Sequence, residues 1–385
     1  MRLLLFAAVA VFGCSKSREA PAPVRAELDP VSEADAKAFA ETFAVAAKNC
    51  DEAKLAPMIE TQAMAVKFMR QTTLPNAPAA AQTIARSTLG ARILCAWMKG
   101  VDEYKLLHVR MVGGEPRPIL RRLITDPRSG ATIVGYDELQ LGMSRRDHQV
   151  RVVDAFSYVQ GQWITQLLGG NVDAMAKSLD YLGDLPLMAE TVRKARDLQR
   201  AGSNKEALAI IDDLPANVRQ YRGVQMMRVR AAAGVSVEQH KQALDELAKV
   251  FPNDPSIAMV ETDGAFRRED YEAALKWIDM IDTAIGGDAF QASQRALAYM
   301  KSNQLAEAAE AADKATTMDP TLTRAWEVKL DVMIAQKRWP DALAVMTELE
   351  SKHGVHFDEA KLRAAPAMAE LIGTNEFKDW LAKRK

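Results

Sequence analysis

The sequence predicts a mostly α-helical chain in two parts, an α-solenoid of helix–turn–helix repeats preceded by an α+β domain with a four-stranded antiparallel sheet. Three observations carry that reading. Small residues recur at a fixed interval in the second half, where Ala274, Ala308 and Ala342 are spaced by 34. Four short runs rich in Val, Ile and Leu, separated by turn residues, lie within 106–159. Ahead of them, residues 31–99 have helical composition interrupted by Pro57, Pro75 and Pro78.

Composition bounds the rest. A chain of 385 residues with 26% charged and 48% hydrophobic residues has ample length for two or three buried cores. The 50 Lys and Arg balance 51 Asp and Glu, and no basic block stands out, so nothing favours a nucleic-acid partner. Three cysteines are too few for a disulfide-dense scaffold or a four-cysteine zinc site.

At the N-terminus, Arg2 precedes an uncharged, mostly apolar run from Leu3 to Phe12. The run falls short of the ~20 residues a bilayer-spanning helix needs, yet it suits the core of a signal peptide. Val11-Phe12-Gly13-Cys14 resembles the end of a bacterial lipoprotein signal, with Phe12 where the pattern has a smaller residue. The resemblance implies removal of 1–13, acylation of Cys14 and a flexible tether over 14–30. Ser15 after the cysteine then implies a lipid-anchored protein of the bacterial envelope, on the outer membrane facing the periplasm. An ordinary secretory signal with an incidental cysteine, or a cytosolic chain with an apolar start, remains open from the residues alone. So does the state of Cys50 and Cys95, a disulfide or two separately buried thiols.

The α+β domain is expected over 31–183. Ser32 with Asp35 has the form of a helix N-cap, and Phe39, Phe43 and Ala46 follow at helical spacing. Strands are expected over 106–112, 118–126, 131–142 and 149–159, joined by short Gly-, Pro- and Ser-containing turns into a meander. Helices first and then a sheet ending in Val152-Val153-Asp154-Ala155-Phe156-Ser157-Tyr158 resembles the NTF2-like fold. A connecting helix from Trp163 to Leu182 would follow, with Gly169-Gly170 against it.

Repeats are expected over 187–353. With the small residue at position twenty of each unit, Ala207, His240, Ala274, Ala308 and Ala342 define five of them. Ile278, Ala312 and Met346 lie four residues later, and Ile281, Ala315 and Leu349 seven later, all on one helical face. Pro252 and Pro320 close two units at the same phase. This pattern resembles the tetratricopeptide repeat, with His240 in place of a small residue and Arg228 and Leu330 large where the family has another. The resemblance implies stacked hairpins sharing a core, with helix A of each unit on the concave side. Residues 354–385, through Met368, Leu371, Ile372, Phe377, Trp380 and Leu381, are expected to cap the array.

Catalytic signatures are missing. No pair among His108, His148, His240, His353 and His356 has metallopeptidase spacing, and there is no nucleophile elbow, phosphate loop or dinucleotide fingerprint. No metal or cofactor is expected. Asp154 alternates with Val152, Phe156 and Tyr158, so Asp154 and Tyr158 are candidates for a pocket inside the sheet. The plainer expectation is an outward Asp154, or one satisfied by Arg121 or Arg151. Tyr136, Asp137 and His108 are further candidates.

The repeat groove is the stronger functional surface. Family positions two, five, nine and twelve of helix A put Met259, Asp263, Phe266, Phe290, Leu297, Met300, Arg324, Glu327 and Asp331 on the concave side. Met and aromatic anchors beside charges suit an extended peptide or a partner helix. The competing expectation is that they pack against the cap or the first domain. Arg267 and Arg268 are expected on a solvated face. The function expected is a non-enzymatic adaptor that binds other envelope proteins or peptides in this groove. The alternative is a small-ligand-binding or minor enzymatic module in the first domain; a third is a repeat array serving only as a spacer.

Overall fold

The computed structural model describes residues 28–71, 77–125, 130, 132–168, 185–252, 254 and 256–384. The expected signal, Cys14, all but the last residues of the tether, and most of the expected connecting helix lie outside these residues. The chain divides into two compact units, Met1–Pro252 and Asn253–Lys385, so the division falls within the repeat array, between its second and third repeats.

The first unit opens with strand β1 (Leu28–Asp29) and helix α1 (Glu33–Lys48). Ser32 caps α1 by accepting the Asp35 amide at 3.1 Å, and the helix buries Ala36, Ala40, Phe43, Ala44 and Ala47 along one stripe. Short helices α2 (Glu52–Leu55), α3 (Thr61–Gln71), α4 (Ala77–Ala85) and α5 (Leu89–Trp97) follow. A disulfide joins Cys50, just past α1, to Cys95 in α5, with Cα atoms 4.8 Å apart.

The sheet then forms from β2 (Glu103–Val112), β3 (Glu115–Thr125), β4 (Thr132–Ser144) and β5 (Val150–Ser157), each antiparallel to the next. Two two-residue strands extend the expected four: β6 (Gln162–Trp163) pairs with β5, and β1 pairs with the end of β4, beyond the reach of β3. Gly142 makes room for β1, since a Cβ there would stand 2.9 Å from Leu28 and 3.0 Å from Val153. One sheet face, with Leu120, Leu139, Val152 and Ala155, closes a core with Phe43, Leu55, Met64, Phe68 and Leu94. A helical stretch at 164–168 begins where the connecting helix was expected.

Five helix pairs follow, in the tetratricopeptide arrangement. They are α6 (Leu185–Ala201) with α7 (Asn204–Asp212), and α9 (Arg222–Ala233) with α10 (Val237–Val250), the one-turn α8 (Ala216–Arg219) lying between. The second unit holds α11 (Ile257–Arg267) with α12 (Tyr271–Ile285), α13 (Ala289–Lys301) with α14 (Leu305–Met318), and α15 (Thr323–Ala335) with α16 (Trp339–His353). The backbone repeats the period independently of the side chains. Gly202, Glu269, Asn303 and Lys337, each between helix A and helix B, all take positive φ, and the last three are 34 apart. Ala207, Ala274, Ala308 and Ala342 are fully buried on helix B of their pairs. His240 is buried as well, in the position the others give to alanine.

Helices α17 (Glu359–Ala364), α18 (Ala369–Ile372) and α19 (Asn375–Ala382) close the second unit. Leu371, Phe377 and Trp380 join its core, and the Trp380 indole donates to Thr347 Oγ1 at 2.9 Å. Thr374 caps α19 through the Phe377 amide, which explains the break at Gly373-Thr374-Asn375.

Candidate functional site

Within the second unit, packing each helix B against its helix A uses up the alanine face and leaves the opposite stripe of helix A over. Six of the nine expected groove residues, Met259, Phe266, Leu297, Met300, Arg324 and Glu327, are half-buried there, and Asp263 and Asp331 are exposed. Phe290 differs: it is 3% exposed, in the first turn of α13, where Asp288 accepts its amide. Its ring is therefore part of the packing and is not offered to a partner. Leu297 and Met300 lean on the second core while keeping part of their surface open. Phe266 meets Tyr271 edge-on, with ring centroids 6.1 Å apart.

Charge is distributed among these apolar residues. Asp263 accepts from Arg267 at 2.8 Å, one turn along α11, and Arg324 pairs with Glu327 at 3.2 Å. Arg268 faces Glu261 at 3.7 Å, so both arginines expected on a solvated face stand beside a carboxylate. Asp331 keeps part of its surface in water, yet the helix face around it crowds its carboxyl enough to push it above the usual carboxylate range, against the opposing charges of Arg324 and Lys301. A carboxyl in that state gains from a cation brought to it.

The α+β candidates look different once the sheet register is known. A bulge inserts Val153 between Val152, paired with Leu141, and Asp154, paired with Gln140. Val152 and Ala155 therefore both face the core, and the simple alternation that grouped Val152 with Asp154 breaks at this point. Asp154 is 1% exposed and fully engaged. It accepts from Thr165 Oγ1 at 2.6 Å and from the amides of Ala155 and Thr165, and it pairs with Lys67 Nζ at 3.4 Å. Lys67, on α3, also donates to Gln140. Burial raises the Asp154 carboxyl and lowers the Lys67 ammonium, with each group's charge opposing the shift of the other. The arginines named as its alternative partners are engaged elsewhere: Arg121 with Glu103 at 2.7 Å, and Arg151 with Glu60 and Asp147.

Tyr158 is buried beside Phe156, its hydroxyl donating to Glu138 at 3.4 Å; burial and the Glu138 charge hold that hydroxyl above its ordinary range. Trp163 lies nearby with Lys67 Nζ and the Arg117 guanidinium 5.1 and 5.5 Å from its ring centroid. On the opposite face, Asp137 pairs with Arg122 at 2.8 Å, and Arg122 also donates to Ser157 Oγ. Gly135 leaves space for that guanidinium, 3.4 Å from where a Cβ would stand. Burial raises the Asp137 carboxyl despite Arg122, and raises the neighbouring Tyr104 hydroxyl. The Asp154 carboxylate is fully hydrogen-bonded; in the second cluster Arg122 answers the Asp137 charge, while the buried Tyr104 hydroxyl makes no well-formed hydrogen bond. Lys67, Thr165, Arg122 and Trp163 carried no motif, since their partners stand far away in sequence.

Among the described residues no group of three or more His, Cys, Asp or Glu could hold a metal ion, and no helix is long and apolar enough to cross a membrane.

No protein-family model matches the chain, and no curated protein matches it. Solved structures do. A double mutant of MamA RS-1 and the MamA fragment 41-end from Desulfovibrio magneticus RS-1 are each 19% identical; each match covers 42% of this chain and 94% and 95% of theirs, with a TM-score of 0.37. The TPR2AB domain of yeast Sti1, in a pHSP90 complex, is 17% identical over 51% of this chain and 86% of its own, with a TM-score of 0.25. Likeness of that order identifies no shared partner.

Proposed function

We propose that this protein is a non-enzymatic interaction scaffold whose recognition surface is the inner face of repeats three to five. The observation that carries the reading is the open stripe on α11, α13 and α15. Phe266, Leu297 and Met300 stay half-exposed there, although the cores behind them are closed. Flexible methionine and aromatic anchors beside mixed charge fit an extended segment or helix of a partner protein. Asp154 and Tyr158, the candidates for an alternative pocket, are taken up by Lys67, Thr165 and Glu138, and this supports placing recognition in the repeats. The lipoprotein resemblance of 1–14 supports the same scaffold tethered through Cys14 at the bacterial envelope, with envelope proteins or peptides as its partners.

The test is affinity capture after cross-linking in native membranes, comparing wild type with a Phe266→Ser/Leu297→Ser/Met300→Ser variant of unchanged thermal unfolding. Loss of a captured protein in the variant is the expected result. Identical capture by both would move recognition away from this face. Anchoring is tested separately: Cys14→Ser should release the chain from the membrane fraction.

A further inference from the structure

The inner face of repeat two differs from those that follow it. In repeats three to five, positions nine and twelve are half-buried or exposed: Asp263 and Phe266, Leu297 and Met300, Asp331 and Ile334. In repeat two all four inner positions, Arg222, Gln225, Val229 and Ala232, are buried, with Arg222 at 5% and Gln225 at 4% exposure. A guanidinium taken out of water needs acceptors for its charge. Arg222 Nε donates to the backbone carbonyl of Gln160 at 2.6 Å, and the guanidinium lies 4.8 Å from the centroid of the Phe251 ring. Gln160 belongs to the turn between β5 and β6, more than sixty residues away and in the α+β domain. That turn is prefolded: the Gln160 and Gly161 amides both donate to the Ser157 carbonyl, at 3.1 and 2.6 Å, with Gly161 at φ +63°. Its outer carbonyl is thus presented as a fixed acceptor.

We propose that the inner face of repeat two is an intramolecular docking site, with Arg222 as its clasp and the β5–β6 turn of the α+β domain as its occupant. Where repeats three to five leave positions nine and twelve open, repeat two closes them and holds a carbonyl of its own chain at Arg222. The α+β domain is then the resident ligand of repeat two. The inner positions of repeat one that the structure describes, Val192, Arg196 and Gln199, are half-buried, so the closed stripe is confined to repeat two. The proposal stands whether or not repeats three to five bind a partner.

Hydrogen–deuterium exchange on the full-length chain tests it from both sides. Arg222→Ala should speed exchange of the amides in 158–163 by about tenfold or more, the scale expected when a charge-assisted buried hydrogen bond is lost, and leave α15 and α16 as in wild type. Because removing a buried arginine can unfold the first unit, Gly161→Val gives the reciprocal reading. A β-branched residue is strained at that φ, so the turn must move, and exchange across 222–229 in α9 should rise. Unchanged exchange at 158–163 in a folded Arg222→Ala protein, or unchanged α9 in Gly161→Val, would overturn the proposal.

Discussion

The α+β domain and the three repeats of the second unit close their interiors by opposite means. The first relies on contacts between residues far apart in sequence: Cys50 with Cys95, 45 residues away, and Lys67 with Asp154, 87 away. The repeats rely on near neighbours. Arg295 links to Asp279 and Asp282 of the repeat before it, Lys329 likewise to Asp313, and buried alanines let paired helices approach. The contrast teaches where polar groups can be tolerated. In the sheet domain Asp137 and Asp154 are inside and answered by Arg122 and Lys67; in the repeats buried carboxylates such as Asp288 sit at helix ends, and the inner stripe stays partly open.

The comparison can be broken most forcefully at Arg122. Arg122→Ala strands Asp137 in the interior without its counter-charge and should cost about 3–5 kcal/mol. Urea unfolding followed by a probe in each unit should show the loss in the first unit alone. A shared loss would mean the two units do not unfold separately. Next comes the disulfide. Cys50→Ser with Cys95→Ser opens a link across 45 residues and should lower first-unit stability by roughly 2–4 kcal/mol, with reducing agent giving the same result in wild type.

The second unit should respond to volume more than to charge. Ala308→Leu forces a larger side chain between α13 and α14 and should destabilise by about 1–3 kcal/mol, read as a lower thermal midpoint confined to that unit. The smallest expected effect belongs to Asp331. Its folded carboxyl titrates above the unfolded value, so it favours folding while protonated, and that contribution is lost as pH rises through the folded pKa. Between about pH 4 and pH 7, wild type should therefore lose more second-unit stability than Asp331→Asn. Asp282, also raised by burial, acts alike in both proteins and cancels. Identical pH profiles would remove the desolvation argument at the groove.

How much of this was legible in the sequence follows from the same contrast. The repeats announced themselves because each packing contact recurs every 34 residues; Ala274, Ala308 and Ala342 repeat the same contact. The four long strands were legible from apolar runs and turns, and the Ser32 cap from its local pattern. The Val153 bulge was invisible, since an extra residue in a strand leaves no mark on composition, and it undid the alternation that placed Val152 and Asp154 together. Lys67 and Thr165 were equally hidden, because nothing local ties them to Asp154. Phe290 shares its family position with Arg324 but is buried where Arg324 stays half-open, a difference the repeat position alone does not carry. Arg222 lay outside the groove residues singled out, and its partner is a backbone carbonyl that no side-chain pattern can reveal.

The central claim, that the inner stripe of repeats three to five is the recognition surface, is tested most directly by site-specific photocross-linking in native membranes. One probe replaces Met300 on the inner stripe and another replaces Lys276, exposed on helix B of repeat three. A discrete protein adduct from position 300 and none from position 276 is the result this account requires. An adduct from position 276 alone, or the same adduct from both, would contradict it.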